Sequence, residues 1–522
     1  MIAPSDRVTC TRLFQTCLAL LPTLLPTLLL TLLLTLLLGL FASPSAAADE
    51  PMRVGSKRFT ESYILAQVLA QTAQAAQTKV EVRQGLGNTA IVFAALRAGS
   101  IDLYPDYTGT IAQEILKEPQ ATSLPDLRAG LAPLGLGVDV SLGFHNGYAL
   151  AMRDDVAARL GIKRLSDLAA HPALKFGLSN EFIGRADGWP GVARRYGLAQ
   201  RPVGLDHGLA YDALTAGQVD AIDIYTTDAK IGHLKLRVLE DDLSHFPRYD
   251  AVVLYRLDVP QRFPAAWAAI QRLGGRIDEP RMIALNARAE LDSVAFDVIA
   301  RDHLTGTAPG AAQGGFWAKL WGPDLARLTW QHLTLVAWSV GLAVAVGVPL
   351  AVWVAPHAGA RALVLGATGL LQTVPALALL AVLISALGRI GTLPALVALT
   401  LYALLPIMRN TCTGLAEVPT GLKLAGTALG LTAGQRLRHI ELPLALPVLL
   451  AGVRTATTIA VGTATIAAFI GAGGYGERIV TGLALNDREL MLAGALPSAA
   501  LALLCEGIFG ALAWGLRKPG RH

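Results

Sequence analysis

Tyrosines recur where the expected strands of the chain's first half begin or end. Tyr104 and Tyr107 close one strand, Tyr148 opens another, Tyr225 ends a third and Tyr249 precedes a fourth. Strand ends in α/β sheets face the ligand crevice, and an aromatic face there attracts a cation. Other chemistry-bearing residues form no such pattern. Asp220, Asp223 and Asp228 are of metal-ligand type, but their spacing matches no calcium loop. They read as solvated or hydrogen-bonded carboxylates. His145, His207, His233 and His245 show neither an HExxH pattern nor close pairing. No GxSxG elbow and no triad are found, so this half reads as a binder rather than an enzyme, without metal or cofactor. No G-x-x-x-x-G-K-[ST] phosphate loop occurs anywhere in the chain.

The elements that must position these residues follow from the hydrophobic pattern. Strands are expected at Met52–Gly55, Val80–Arg83, Ile101–Tyr104, Gly147–Met152, Ala221–Tyr225 and Ala251–Tyr255. Helices are expected from Glu61, over Thr89–Ala98 and Thr110–Leu116, and at Asp212–Ala216. Strands alternating with helices predict an α/β fold with largely parallel sheets. The length suits two lobes, at 52–145 plus 252–305 and at 146–251, joined by two connections as a hinged cleft.

Composition divides the chain. Of its 522 residues 53% are hydrophobic and 16% charged, which is too apolar for an ordinary soluble protein. Residues 49–320 have ordinary charge density, 321–328 read as a linker, and 329–517 read as membrane. Residues 1–48 begin with Arg7 and Arg12, continue as an apolar run, and end in small residues before Asp49. That is the order of a secretory signal cleaved near Ala48, with an uncleaved anchor as the alternative. Cys10, Cys17, Cys412 and Cys505 all lie outside 49–320, so that domain holds no disulfide. The net charge of +5 is modest and comes without a basic tract bearing interleaved aromatics, so no nucleic-acid partner is expected.

Five spans are expected, at Thr329–Ala355, Ala362–Leu387, Leu393–Met408, Leu444–Phe469 and Leu490–Leu516. Between the third and fourth lies a polar loop with Lys423, Arg436, Arg438 and His439, whose charge places it on the cytoplasmic side. Within residues 414–443 the pattern is a short helix (Gly421–Leu429), a break at Gly430, a second short helix (Ala433–Ile440), then Leu442-Pro443. Gly430 suits a positive φ, and Pro443 suits the first turn of the next helix.

The spacing of Gly430, Ile440, Leu442 and Pro443 resembles the coupling loop of ABC-importer permeases. Leu424-Ala425-Gly426 replaces the usual acidic-Ala-Ala opening. The continuation Gly452–Asp487 is similar to the glycine betaine/carnitine/choline branch. GSKRFTESYILAQ from Gly55, LGNT from Leu86, IDLYPDYTGT from Ile101, EFIGRADGWPG from Glu181 and DIYTTDAKI from Asp223 resemble binding proteins of the same class. The resemblance implies a two-lobed periplasmic-binding-protein fold followed by an all-α polytopic permease domain. It implies a tyrosine cage of Tyr107, Tyr148, Tyr225 and Tyr249, with Tyr104 as the substitute. A quaternary ammonium has no N–H to donate and is recognised through such faces. Lys57 and Arg185 would hold a carboxylate, with Thr89 and Asn146 as further polar contacts. Ser62 stands where the family often has an amide.

The same resemblance implies a receptor–permease subunit of an importer for glycine betaine, choline or carnitine. It would sit in a bacterial inner membrane with the receptor on the outer face. The partners would be a separate cytoplasmic ABC ATPase at the Gly430 loop and a second permease copy. A sensing receptor without transport, or an importer of another small zwitterion such as an amino acid, is the alternative.

Overall fold

The computed structural model describes residues 50–307 and 315–516. The expected signal or anchor at 1–48 and the last residue of the expected membrane domain, Arg517, lie outside them.

Among the described residues, ten strands form two sheets. They are β1 (Met52–Gly55), β2 (Val80–Arg83), β3 (Leu103–Tyr107), β4 (Leu136–Asp139), β5 (Tyr148–Arg153), β6 (Phe176–Ser179), β7 (Val203–Leu205), β8 (Ala221–Tyr225), β9 (Leu236–Val238) and β10 (Ala251–Arg256). Their order is β2-β1-β3-β10-β4 in one sheet and β7-β6-β8-β5-β9 in the other. The sheets are mixed, not largely parallel: β10 is antiparallel to β3 and β4, and β5 is antiparallel to β8 and β9. Both antiparallel strands are the first after a crossing between lobes, so the chain enters each sheet from the opposite end. The two crossings run side by side at the bridge His145↔Asp250, which makes the hinge.

β3 shows how the cleft opens. It is buried throughout and contains Pro105, which has no N–H for a ladder. Its pairing with β1 is confined to Val54↔Leu103, while Pro105 pairs with Val253 on the other side. The missing donor therefore points to where β1 and β3 part. Beyond it the strand delivers Asp106 and Tyr107.

Among the described residues of the second part, four helices are long and apolar enough to cross a membrane. A fifth crossing arises if Ala358–Thr373 and Ala376–Leu387 count as one, although they bend by 102°. That pair replaces the straight helix expected over Ala362–Leu387. The cause is Pro375, which pushes Val374 out of the helical region, to φ −68 and ψ 127. The short helix Phe316–Leu320, just before the first long one, is fixed by Lys319, which pairs with Asp487 at 2.6 Å and Glu489 at 3.1 Å. Trp317, Trp321 and Trp330 are exposed nearby, as in an aromatic belt at a membrane surface.

The two parts touch. Ile384 and Ile390 join the Leu86 cluster of the first part, and the helix His207–Thr215 packs on the helix Gly476–Leu485. The helix Thr392–Glu417 starts beside Ile390 and runs 26 residues, about 39 Å at 1.5 Å per residue. The loop with Gly430 follows it, so the first part and the loop lie at opposite ends of the bundle.

That loop has the expected helix–glycine–helix form. Thr420–Ala428 is helical, Gly430 takes φ +79, and Ala433–Arg436 begins at a Thr432–Gln435 capping box. The second helix does not stop at Ile440; it passes through a π turn, Leu437–Glu441, into Leu442–Ala464. Pro443 is the second residue of Leu442–Ala464, directly after the π turn, so its missing N–H falls where the helix changes from π to α. A Cβ on Gly426 would come within 2.7 Å of Ile440 Cδ1, so a glycine here lets the two arms close.

Candidate functional site

The opening loop, Ser56–Phe59, is set by its neighbours. Ser62, fully buried, accepts the Lys57 N–H at 2.9 Å. It therefore shapes this loop from behind. Lys57 Nζ pairs with Asp106 at 2.6 Å and lies 5.6 Å from the Tyr107 ring centre.

Tyr107, Tyr148, Tyr225 and Tyr249 converge with Lys57, Asn146 and Arg185 on one small cavity. Tyr148 is the centre of the cluster. Its ring centre lies 5.2 Å from Tyr225, 5.7 Å from Tyr249 and 5.1 Å from Phe182. Arg185 lies 5.2 Å over the Tyr148 face, which thus already meets one cation. Its Nε and Nη2 donate to both Asp187 oxygens, at 2.8 and 2.6 Å. The Tyr249 hydroxyl donates to the same Asp187 at 2.5 Å. The bidentate fork of Arg185 is thus already engaged by a buried acid, and Nη1 is left toward Glu181 at 3.7 Å.

The structure places the other expected residues elsewhere. Tyr104 is wholly buried in the Leu86 cluster, on the side of its strand away from the cavity. Thr89 donates to Glu181 at 2.9 Å and so ties one lobe to the other. Asp220 accepts from Lys175 N–H, Asp223 from Ser179, and Asp228 from Tyr211, which gives each of the three a structural hydrogen bond.

Sequence reasoning missed four participants: Phe59, Glu61, Asp106 and Asp187. Phe59 stands 5.2 Å from Tyr225 and 6.3 Å from Tyr107, as a fifth aromatic wall. Glu61 is buried at the lobe junction and accepts from Tyr107 at 2.5 Å, Asn146 at 2.9 Å, Thr227 at 2.6 Å and Asn286 at 3.2 Å. Burial pushes its pKa up, and those four donors offset part of that rise. Phe59 and Glu61 stand within the GSKRFTE block from Gly55, the signal that could have found them. Asn146 Oδ1 and Asp106 Oδ2 are buried without a hydrogen-bond partner. Of the two, Asn146 lines the cavity and so keeps an acceptor beside the aromatic faces.

The cavity among the tyrosines is about 20 Å³, room for roughly one water. Binding of any organic cation therefore requires the lobes or side chains to part. A larger cavity of about 210 Å³ adjoins it, lined by Arg58, Asp206, His207, Lys230 and Glu290 among others. Burial alone would lower the His207 pKa, but the Asp228 carboxylate 3.0 Å away overrides it and raises it to about 9. Burial, with the nearby Asp228 charge, pushes Glu290 up to about 7.

The family described as "Substrate binding domain of ABC-type glycine betaine transport system" matches residues 50–306. The family described as "Binding-protein-dependent transport system inner membrane component" matches residues 347–518. The osmoprotectant import permease protein OsmW of Salmonella typhimurium is 47% identical over 200 residues, covering 38% of this chain and 93% of that protein. The glycine-betaine-binding protein of Pseudomonas aeruginosa is 36% identical over 299 residues, covering 53% of this chain and 95% of that protein. The ergothioneine transport permease/ergothioneine binding protein EgtU of Helicobacter pylori is 31% identical over 271 residues, half of this chain and 48% of that protein.

Proposed function

The chain belongs to the osmoprotectant branch of ABC importers, as a substrate-binding domain fused to a permease domain, and on that premise we propose that Tyr107, Tyr148, Tyr225 and Tyr249 bind a trimethylammonium compound for uptake. Glycine betaine, carnitine and choline are the ligand class, and the name of the Helicobacter pylori relative adds ergothioneine to the panel. The observation that carries this reading is the convergence of the four tyrosines, from both lobes and the hinge, on one cavity. Lys57 and Arg185 orient the ligand's carboxylate, each held in place by its own buried acid. Asn146 contributes a polar contact from the hinge. Thr89 acts on closure, through Glu181.

The receptor lies on the outer face of a bacterial inner membrane, and the Gly430 loop faces the cytoplasm. Positive charge on the loop and its place at the far end of the bundle support this. A separate ABC ATPase grips the loop, because the chain has no phosphate loop of its own. Leu424 and Leu429, 69% and 82% exposed there, offer that partner an apolar face. A second permease copy completes the pathway.

Two experiments test these assignments. An impermeant thiol reagent on intact cells, in a background without native cysteines, should miss Thr432→Cys and reach Thr392→Cys, both exposed positions. The reverse pattern would overturn the orientation. Gly430→Val puts a β-branched residue at φ +79, a conformation such residues resist. Uptake should be lost while the affinity of the receptor stays unchanged; normal uptake by the well-expressed variant would refute the coupling role.

A further inference from the structure

We propose that the larger cavity is a transit site for the released zwitterion, built at the seam between the receptor and its own permease domain. This rests on the tyrosine cavity being the binding site. Three independent observations lead to it.

The first is placement. The permease contributes Ala484 to the lining, so the cavity lies between the tyrosines and the membrane domain. The seam around it is closely fitted. Gly208 lies against the carbonyls of Leu483 and Ala484, where a Cβ would come within 2.8 and 2.9 Å. Asn486 donates to Asp212 at 2.7 Å, and Arg58 stacks 5.1 Å over Phe469.

The second is partition. Phe59 and Tyr225 line both cavities, and their rings stand 5.2 Å apart. His207 stacks on Tyr225 from the larger side, at 4.6 Å. A ligand leaving the tyrosines toward the permease passes this aromatic wall and enters the larger space.

The third is chemistry. The cavity carries both signs, with Arg58, Lys230 and His207 facing Asp206, Asp228 and Glu290. Arg58 and Asp206 pair only loosely, at 3.6 Å, and the buried Nδ1 of His207 has no partner. Such a lining accepts a carboxylate and an ammonium together, yet weakly, as a site that must empty requires. The volume of about 210 Å³ admits a small zwitterion, which the 20 Å³ among the tyrosines does not.

The test compares binding with uptake. Asn180→Trp fills the cavity from its exposed rim, and Lys230→Gln removes a cation without adding bulk. Each replaces the parent at its own locus in the native host, and the full chain is also purified in detergent. The affinity of the full chain for radiolabelled glycine betaine should stay within about twofold, while initial uptake falls at least about tenfold. Lys230→Gln preserves the test if the tryptophan variant misfolds. Parental uptake in the variants overturns the proposal. So does a loss of binding equal to the loss of uptake, which would make the cavity part of the primary site. If the parent chain itself binds no glycine betaine, the reading of the tyrosine cavity fails first and this proposal with it.

Discussion

Tyr148→Ala should weaken glycine betaine by about tenfold or more, because a desolvated cation–π contact is worth about 2 kcal/mol and about 1.4 kcal/mol is a factor of ten. Tyr148 is the residue of choice because it is central, with Tyr225, Tyr249 and Phe182 all around it. Tyr148→Phe keeps the face and should bind within a few-fold of the parent. The hydroxyls separate the four tyrosines further. Those of Tyr107 and Tyr249 serve the buried carboxylates of Glu61 and Asp187. Phenylalanine at either position removes one of the hydrogen bonds to a buried carboxylate, leaving Asn146 on Glu61 and Arg185 on Asp187, at about 1.5–3 kcal/mol. The expected order is therefore mild loss for phenylalanine at 148 and 225, and larger loss at 107 and 249. Calorimetry on folded variants reads this order. Equal effects at all four positions would show that the hydroxyls do not do what their geometry indicates.

Arg185→Ala should destabilise the receptor by about 3–5 kcal/mol, and Asp187→Ala by a similar amount, because each leaves a buried charge unpaired. Both side chains are only 3 to 4% exposed. The double variant should recover part of the loss, since no bare charge remains. Denaturant unfolding of the receptor domain measures the cycle. Additive single effects would mean that the pair is solvated rather than locked. The pair also bears on specificity. A drop in affinity for carboxylated ligands in Arg185→Ala must be separated from loss of the folded state. Choline, which has no carboxylate, is the control: it should lose less affinity than glycine betaine.

Strand positions were largely legible where apolar runs were bounded by polar residues. β1, β2 and β8 lie where the pattern places them, and β3 starts two residues later than expected because Ile101 and Asp102 turn into it. β4, β6, β7 and β9 were missed: they are short, and β7 and β9 are partly exposed edge strands with little apolar signal. Strand direction was not legible either. Parallel order was read from alternation with helices, but alternation does not record which strand enters a sheet from the other lobe. The tyrosines were visible as a set because strand ends have a defined place in this class of fold. Their supports were not, since Glu61, Asp106 and Asp187 look like ordinary acids until burial is known. The Arg185–Asp187 pair, two residues apart, is a case where the sequence shows the neighbours but not the bond. The bend at Pro375 was misread for a related reason. Apolar composition records only that a segment suits lipid, whereas the clash of the Pro375 ring with Val374 sets its direction.

The central claim is that this chain binds a permanently methylated ammonium and passes it inward. The most direct test is calorimetric titration of the purified full chain with glycine betaine, choline and unmethylated glycine. Glycine has the carboxylate of glycine betaine but an ammonium that donates hydrogen bonds and is strongly hydrated. A tyrosine-walled site should bind glycine betaine or choline at one site per chain and give no measurable heat with glycine. Binding of glycine as tight as that of glycine betaine, or no binding of either methylated compound by folded protein, would contradict the account.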